Sequence, residues 1–588
     1  MTQGEGRVTA AQQALARGEP LIAHDLAQRG LAAGPRDARL AHTLVLALAR
    51  SGATERAEAE YERLDLASMG AEDPALRVDV LALHARLAKD RARRSSGTEA
   101  RRWAAVAADR YAEASGPADS AYAHVNAATM ALWAGERERA VQHARLAVAH
   151  VDDDADPADA MGGYWRNATL AEAHLVLGEP EQAGRALDEA AALAGDDLAA
   201  KATTRRQLGL LEELGAASAG LIDRLPMPGV IAYGGHRLTE DAPAEAETRP
   251  TLAEVLHRGR ADIGYGSLAC GADILWAEAL LDRDAELHVT LPFDVEEFIE
   301  TSVRPGGEGW VGRYRAVSDA ATSVSVSSPG PYLGDDELYA YAARWFMGRA
   351  VIRARALTVE PRFTAISDGG TATGSAGTGA DLDAWREAGY PVDVVAPVSP
   401  RLRGGSAPTA GPRRTVRAAL FGDFQGFSRL SDADLPAFVE QSLTALSTAL
   451  DAAGDDVLFR NSWGDGIFVV CSTVRAAARL AVGLQESVKA SGADTAPDLR
   501  LGGHAGPMFA LWDPIQQRET YFGRAVVTAA RIEPRTPEGE VYVTEPFAAL
   551  LELEPTSGIE PEYVGPIATA KGFGDLPMYV LKSRSPGA

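Results

Sequence analysis

Cysteine is scarce: the 588-residue chain has two, Cys270 and Cys471. Set so far apart, they exclude a disulfide framework and a zinc cluster, and they suit a reducing compartment. Long apolar runs are absent as well. No stretch approaches the roughly 18 uninterrupted apolar residues of a membrane span, and the opening MTQGEGRVTAAQQ lacks the basic-then-apolar build of a secretory leader. The expectation is a cytoplasmic protein with no membrane partner. Positive charge is in deficit too, with 58 Lys and Arg against 82 Asp and Glu and a net charge of −24. Such a surface repels phosphate backbones, and no dense Lys/Arg run offers a groove for nucleic acid. A single nucleotide is not excluded, because a few cations or a metal ion suffice to hold it.

What the chain does contain is 46% hydrophobic residues, as a globular protein does, and a length that exceeds one core. Two to four domains are expected. Residues 1–222 are rich in Ala, Leu, Arg and Glu, with almost no strand-like run. A glycine followed five residues later by alanine recurs at Gly18/Ala23, Gly52/Ala57, Gly135/Ala140 and Gly178/Ala183. The glycine would end one helix and the small alanine would let the next pack closely. The segment resembles a tetratricopeptide (TPR)-type solenoid of stacked helix pairs; an irregular helical bundle is the alternative. Either would hold a partner protein, or the protein's own chain, rather than do chemistry.

Over 226–398 strands and helices alternate: PGVIAYGGHRL, ADIGYGSLACGADILWAEALL, AELHVTLPF, ATSVSVSS, RFTAISDG and PVDVVAPV. That alternation predicts an α/β domain with a parallel, Rossmann-like sheet. Ligands of such sheets sit beyond the strands' C-terminal ends, where glycine turns admit phosphates to helix N-termini. Gly235, His236, Arg237, Gly271, Asp273, Gly377 and Thr378 are the ligand candidates, although no turn is a GxGxxG or a P-loop. The GGHR, GSLACGAD and GTGAD turns resemble those of the SLOG group of Rossmann-like domains, which sense or process nucleotides. The equally available reading is that these glycines are only turns and that His236 bonds to backbone. Residues 399–412, rich in Pro, Gly, Ser and Arg, read as a flexible linker.

The segment 413–588 alternates strands and helices in a pattern predicting an α+β sandwich with its helices on one face. Two Gly-Asp pairs stand at strand ends, in FGDFQGFSRL and NSWGDGIFVV. Alone, Gly464-Asp465-Gly466 is a hairpin turn and Asp423 a helix cap. If their strands are neighbours, however, the two carboxylates meet, and like charges so close raise each other's pKa. A divalent cation removes that cost, and Mg²⁺ favours one or two carboxylates with phosphate oxygens. Gly426, Phe427 and Ser428, at a turn entering a helix, offer backbone N–H groups as a phosphate cradle.

These motifs, followed in order by LRLGGHAGPMF, YFGRAVVTAARIEP and KGFGDLPMYVL, resemble the catalytic domain of class III nucleotidyl cyclases, the adenylate/guanylate cyclase family. The resemblance covers essentially all of 413–583. It implies conversion of an NTP substrate to a 3′,5′-cyclic nucleotide and pyrophosphate, in intracellular signalling. Asp423 and Asp465, with the main chain of Phe424, would hold two Mg²⁺ or Mn²⁺ ions per site. Arg531 would meet charge developing at the α-phosphate, and Lys571 would grip the triphosphate. Asn461 and Thr520 would read the base. The family builds each site from two subunits, so a homodimer is implied. Three positions depart from the family's pattern: Val527 replaces its catalytic asparagine, Asn461 replaces its adenine-reading lysine, and Thr520 stands at the companion base-reading position. An asparagine carries donor and acceptor, so the base stays open. The alternatives to an active cyclase are a degenerate cyclase fold that binds and senses nucleotide, and a TPR scaffold for a signalling complex.

Overall fold

The computed structural model describes residues 3–16, 20–33, 36–50, 54–73, 76–115, 120–151, 160–195, 197–218, 220–369, 376–397, 400–402, 412–427, 430–491, 498–554, 558–568 and 575–583. Most of the expected linker lies outside them. The chain forms two compact units, one built on Met1–Met227 and the other on Pro228–Glu562 with Ala568–Ser583. Among the described residues no helix is long and apolar enough to cross a membrane.

The first unit is helical: α1 (Gln3–Ala16), α2 (Pro20–Ala33), α3 (Ala38–Arg50), α4 (Thr54–Arg63), α5 (Leu66–Glu72), α6 (Arg77–Arg94), α7 (Gly97–Ser115), α8 (Ala121–Ala134), α9 (Arg137–His150), α10 (Ala160–Leu177), α11 (Pro180–Leu193) and α12 (Leu198–Glu213). From α6 to α11 each helix packs on the next, and α10 also touches α8 and α12, which is how stacked helix pairs bury their faces. The repeated glycine acts as expected at two places. Gly135 and Gly178 adopt φ of 89° and 81°, and Glu136 and Glu179 N–H donate back to Ala131 and His174 carbonyls, the Schellman closure that glycine permits. Ala140 and Ala183, five residues on, are fully buried. Gly18 and Gly52 lie outside the described residues.

The second unit holds two sheets. The first comprises β1 (Gly229–Gly235), β2 (Ala261–Gly266), β3 (Glu286–Leu291), β4 (Ser323–Val326), β5 (Arg362–Ile366) and β6 (Val392–Val395). All pair in parallel, in the order β4-β3-β2-β1-β5-β6. Its helices are α13 (Ala242–Arg258), α14 (Ala272–Leu281), α15 (Val295–Phe298), α16 (Glu308–Ala320), α17 (Glu337–Leu357) and α18 (Thr378–Glu387). They cover both faces, because successive strand residues point oppositely: Gly264 leaves room for Leu280 of α14, whereas Tyr265 stacks under the Arg349 guanidinium of α17. The strand order reverses between β1 and β5, and at that switch point a crevice opens beyond the strand ends.

The second sheet comprises β7 (Arg414–Phe424), β8 (Val457–Trp463), β9 (Gly466–Cys471), β10 (Leu499–Asp513), β11 (Arg518–Phe522), β12 (Val541–Thr544), β13 (Ile559–Ala568) and β14 (Asp575–Ser583). The order is β13-β14-β12-β10-β7-β9-β8, with β11 on β10. Between the strands come α19 (Leu435–Phe438), α20 (Thr444–Ala452), α21 (Val474–Ala490), α22 (Arg524–Ile532) and α23 (Glu545–Glu552). One face of β7 and β9 (Leu420, Ile467, Val469) packs with α20, α21 and α23. The expectation of helices on a single face fails at α22. Ala419, Phe468, Val470 and Met508 make the other face apolar too, and α22 covers it with Ala525 and Ala529.

Helix α17 also packs against α23 and β7. Its Tyr341 joins the core of the second sheet and donates its hydroxyl to the Ala505 carbonyl at 2.9 Å. Gly348 lies so close to α23 that a Cβ would stand 2.0 Å from the Ala549 carbonyl oxygen. Arg355 bonds both carboxylate oxygens of Glu552, and Arg414 pairs with Asp335 at 2.6 Å.

Candidate active site

Register brings the first pair of carboxylates together. β7 runs antiparallel between β10 and β9, with Gly422 opposite Ile467. Trp463 pairs with Gly466 across the β8–β9 turn, leaving Gly464-Asp465 as a two-residue loop. Gly464 supplies the positive φ such a turn needs, 67°. Asp423, one residue past Gly422, and Asp465, two before Ile467, thus project from adjacent strand ends, near enough for the charge of one to act on the other. Burial and then the charge of Asp423 raise the pKa of Asp465.

A third charged group, which the sequence reading missed, completes this corner. Arg500 lies directly across the ladder from Asp423; its Nη2 donates to Asp423 Oδ2 at 2.7 Å and its Nε to Glu533 Oε1 at 2.5 Å. Burial raises the pKa of Glu533, a residue just past the end of α22. Among the described residues no cluster of three or more His, Cys, Asp or Glu is arranged for a metal ion. The donor set is instead two adjoining carboxylates at the partly exposed end of a sheet, oxygen-only and of one sign, which fits a hard divalent cation completed by water or phosphate oxygens.

The neighbouring candidates divide by what their side chains touch. Phe424 is fully buried, edge-on to Phe438 at 4.9 Å, so only its main chain can serve a ligand. Phe427 also packs against Phe438, its ring tilted at 5.1 Å. Gly426 takes a φ of 87°, a turn conformation that glycine favours. Ser428 and Lys571 lie outside the described residues. Asn461 accepts from Arg518 Nη2 at 3.0 Å, and that guanidinium lies 4.6 Å from the Phe459 ring centroid. Thr520, two residues along β11, is buried. On α22, Val527 is 42% exposed and stands one turn before Arg531, on the same face. Thr528 points inward and donates to the Arg524 carbonyl of its own helix at 2.9 Å.

The crevice of the first sheet has a volume of about 580 Å³ and gathers Gly235, His236, Arg237, Asp273, Gly377 and Thr378 on its walls. Gly271 stands just outside, its φ of 96° capping α14. Gly235 cannot be replaced without collision, since a Cβ would lie 2.4 Å from the Ile366 carbonyl oxygen. His236 Nε2 lies 2.8 Å from Asp368 Oδ1 and 3.1 Å from the Asp368 amide nitrogen, and Arg237 donates to the Thr301 carbonyl at 3.1 Å. Asp381, not singled out by the sequence, faces the same space. Burial, with the charge of Asp381, pushes Asp273 up to about 7; burial lifts Asp381 to about 7 as well. Arg401 and Leu402 cross the crevice wall, Leu402 N–H donating to the Arg237 carbonyl at 2.8 Å.

Comparison with known families accords with this architecture at both ends of the chain. Residues 414–583 match the family model of the adenylate and guanylate cyclase catalytic domain, and the C-terminal domain is accordingly a cyclase domain of that class. Residues 21–131 match the family model Tetratricopeptide Repeats-Sensor. No curated protein matches the chain. Among solved structures, the adenylyl cyclase CyaB from P. aeruginosa is similar at 19% identity and a TM-score of 0.26, covering 29% of this chain and 95% of that one. The guanylate cyclase domain of RhGC from Catenaria anguillulae, in complex with GTP, gives 19% identity, a TM-score of 0.26 and coverage of 30% and 100%. An adenylate cyclase from Trypanosoma brucei in its monomeric state gives 19% identity, a TM-score of 0.25 and coverage of 29% and 91%.

Proposed function

We propose that the protein is a nucleotidyl cyclase, forming a 3′,5′-cyclic nucleotide and pyrophosphate from an NTP, in intracellular signalling. The observation that carries this reading is the meeting of Asp423 and Asp465 beside Arg500. In the proposed reaction the two carboxylates and the Phe424 carbonyl would hold divalent metal, Mg²⁺ or Mn²⁺, two ions per site. Bound there, it would supply Lewis-acid activation of the ribose 3′-hydroxyl and stabilisation of the departing pyrophosphate. Arg531 and Val527 share an outward face of α22, which suits a site completed across a homodimer, with Arg531 serving the partner's nucleotide. Lys571 would grip the triphosphate, and Gly426 with its neighbours would approach it by backbone.

Arg518 bears on the choice of base. A guanidinium only donates, so the Asn461 oxygen must face it, leaving the amide nitrogen as the remaining donor. The complementary base edge is an acceptor, which guanine O6 and adenine N1 both offer, so this donor alone leaves the purine open. The first sheet is read as a nucleotide-sensing domain of SLOG type, with Arg237 and Arg401 suited to phosphate and Asp273 and Asp381 to hydroxyl or amino groups of a ligand. The helical repeats are read as the docking site of a protein partner.

The exposure of Val527 favours a second reading, a nucleotide-binding module without turnover, since valine offers the transition state no hydrogen bond. Incubating the full-length protein with Mn²⁺ or Mg²⁺ and each of four NTPs decides between them. Cyclic product with stoichiometric pyrophosphate is expected from at least one of them. Thermal stabilisation by nucleotide with no product from any NTP would refute the cyclase reading and support the second.

A further inference from the structure

Helix α17 serves two sites at once. Tyr339, Ala342, Ala343 and Phe346 form one stripe at helical spacing and line the crevice of the first sheet. Tyr341, Trp345, Ile352 and Arg355 form a second stripe, packed on the cyclase core and on Glu552. The same division holds at the N-terminus of the helix. Asp336 faces the crevice and takes the Tyr332 hydroxyl at 2.6 Å, while its neighbour Asp335 pairs with Arg414. Arg414 opens β7, and the tenth residue of that strand is Asp423.

We propose that occupancy of the crevice by a small phosphorylated ligand regulates the cyclase site, α17 and β7 being the mechanical link. This rests on the reading of the crevice as a ligand site and of Asp423 as part of the catalytic centre. A ligand large enough to fill the crevice presses on Ala342, Ala343 and Phe346. The helix cannot yield by sliding on the cyclase, because Gly348 is in backbone contact with α23 and Arg414 is buried with Asp335. Packed interiors transmit displacement rather than absorb it, so α17 carries α23 and the start of β7 with it. The strand then delivers the shift to Asp423. The chain entering β7 starts from the crevice as well, since Arg401 and Leu402 form part of its wall.

The test fills the crevice by mutation in the full-length protein, once from α17 (Ala343→Phe) and once from the opposite wall (Ala269→Phe). Three properties are read at the cyclase: turnover of the best NTP, the Kd for Mn²⁺–nucleotide, and hydrogen exchange across 414–424. Coupling of ordinary strength changes affinity by about 5- to 150-fold. Both variants are expected to shift Kd or turnover by at least about 5-fold in the same direction and to alter exchange in β7. Folded variants with all three properties unchanged would overturn the proposal. Should Ala343→Phe fail to fold, Ala269→Phe decides alone. If no NTP is turned over even by the wild type, the cyclase reading has failed by itself, and Kd and exchange still decide whether the crevice and β7 are coupled.

Discussion

Replacing Asp335 with asparagine tests whether the two sheets of the second unit are one cooperative structure. The carboxylate is 1% exposed and its partner Arg414 10% exposed. Arg414 donates Nε to Oδ2 at 2.6 Å and Nη2 to Oδ1 at 3.2 Å, and also reaches the Pro331 carbonyl. The substitution preserves shape and leaves a guanidinium buried without its counter-charge. Removing one partner of a buried pair costs ~3–5 kcal/mol. With an unfolding entropy of ~2.1 cal/mol/K per residue over about 350 residues, the cost corresponds to a Tm fall of ~4–7 °C. Calorimetry of the full-length protein should show one transition for this unit moving by that amount, with tryptophan fluorescence moving in step. A Tm within about 1 °C of wild type, or two transitions of which only one moves, would refute the reasoning.

Three further outcomes are expected. Val527→Asn places a hydrogen-bond donor one turn before Arg531 at an exposed position, so Tm should stay near wild type while kcat rises by up to ~10²–10³, read as cyclic product per minute. Asp423→Asn should abolish the Mn²⁺-dependent rise in Tm, a loss of ~2.7 kcal/mol when metal is present at 100 times its Kd, measured with and without chelator. Asp273 and Asp381, pushed up to about 7, favour the protonated fold. Their contribution to stability is complete below the ordinary carboxylate value and is lost as pH rises through 7. Asp273→Asn should therefore flatten the decline of Tm between about pH 5 and pH 8; an unchanged slope would refute it.

The corner of paired carboxylates was legible because its signal is local: two strand ends, each with Gly-Asp, need only adjacent pairing to meet. Glycine turns marked the crevice for the same reason, each sitting where β1, β2 or α18 changes direction. Arg500 was not legible, since in LRLGG an alternating arginine reads as an outward strand residue and only the register with β7 sets it against Asp423. Asp381 closes the GTGAD turn but was not named as a candidate, because an acid in the first turn of a helix is explained by the dipole. The largest omission was α17. Its sequence, ELYAYAARWFMGRAVIRARAL, carries apolar residues around most of its circumference, a pattern that signals burial on more than one side.

That doubly covered helix bears on how the protein can be cut. A fragment starting at 413 would strip Tyr341 and Trp345 from the cyclase core and leave Glu545, Glu552 and Arg414 without their arginine and aspartate partners. Residues outside the catalytic domain's own sequence are thus part of its interior, and any truncation intended to isolate the enzyme is also a wound in its wall. A piece that begins near Pro228 instead keeps α17 and both sheets together.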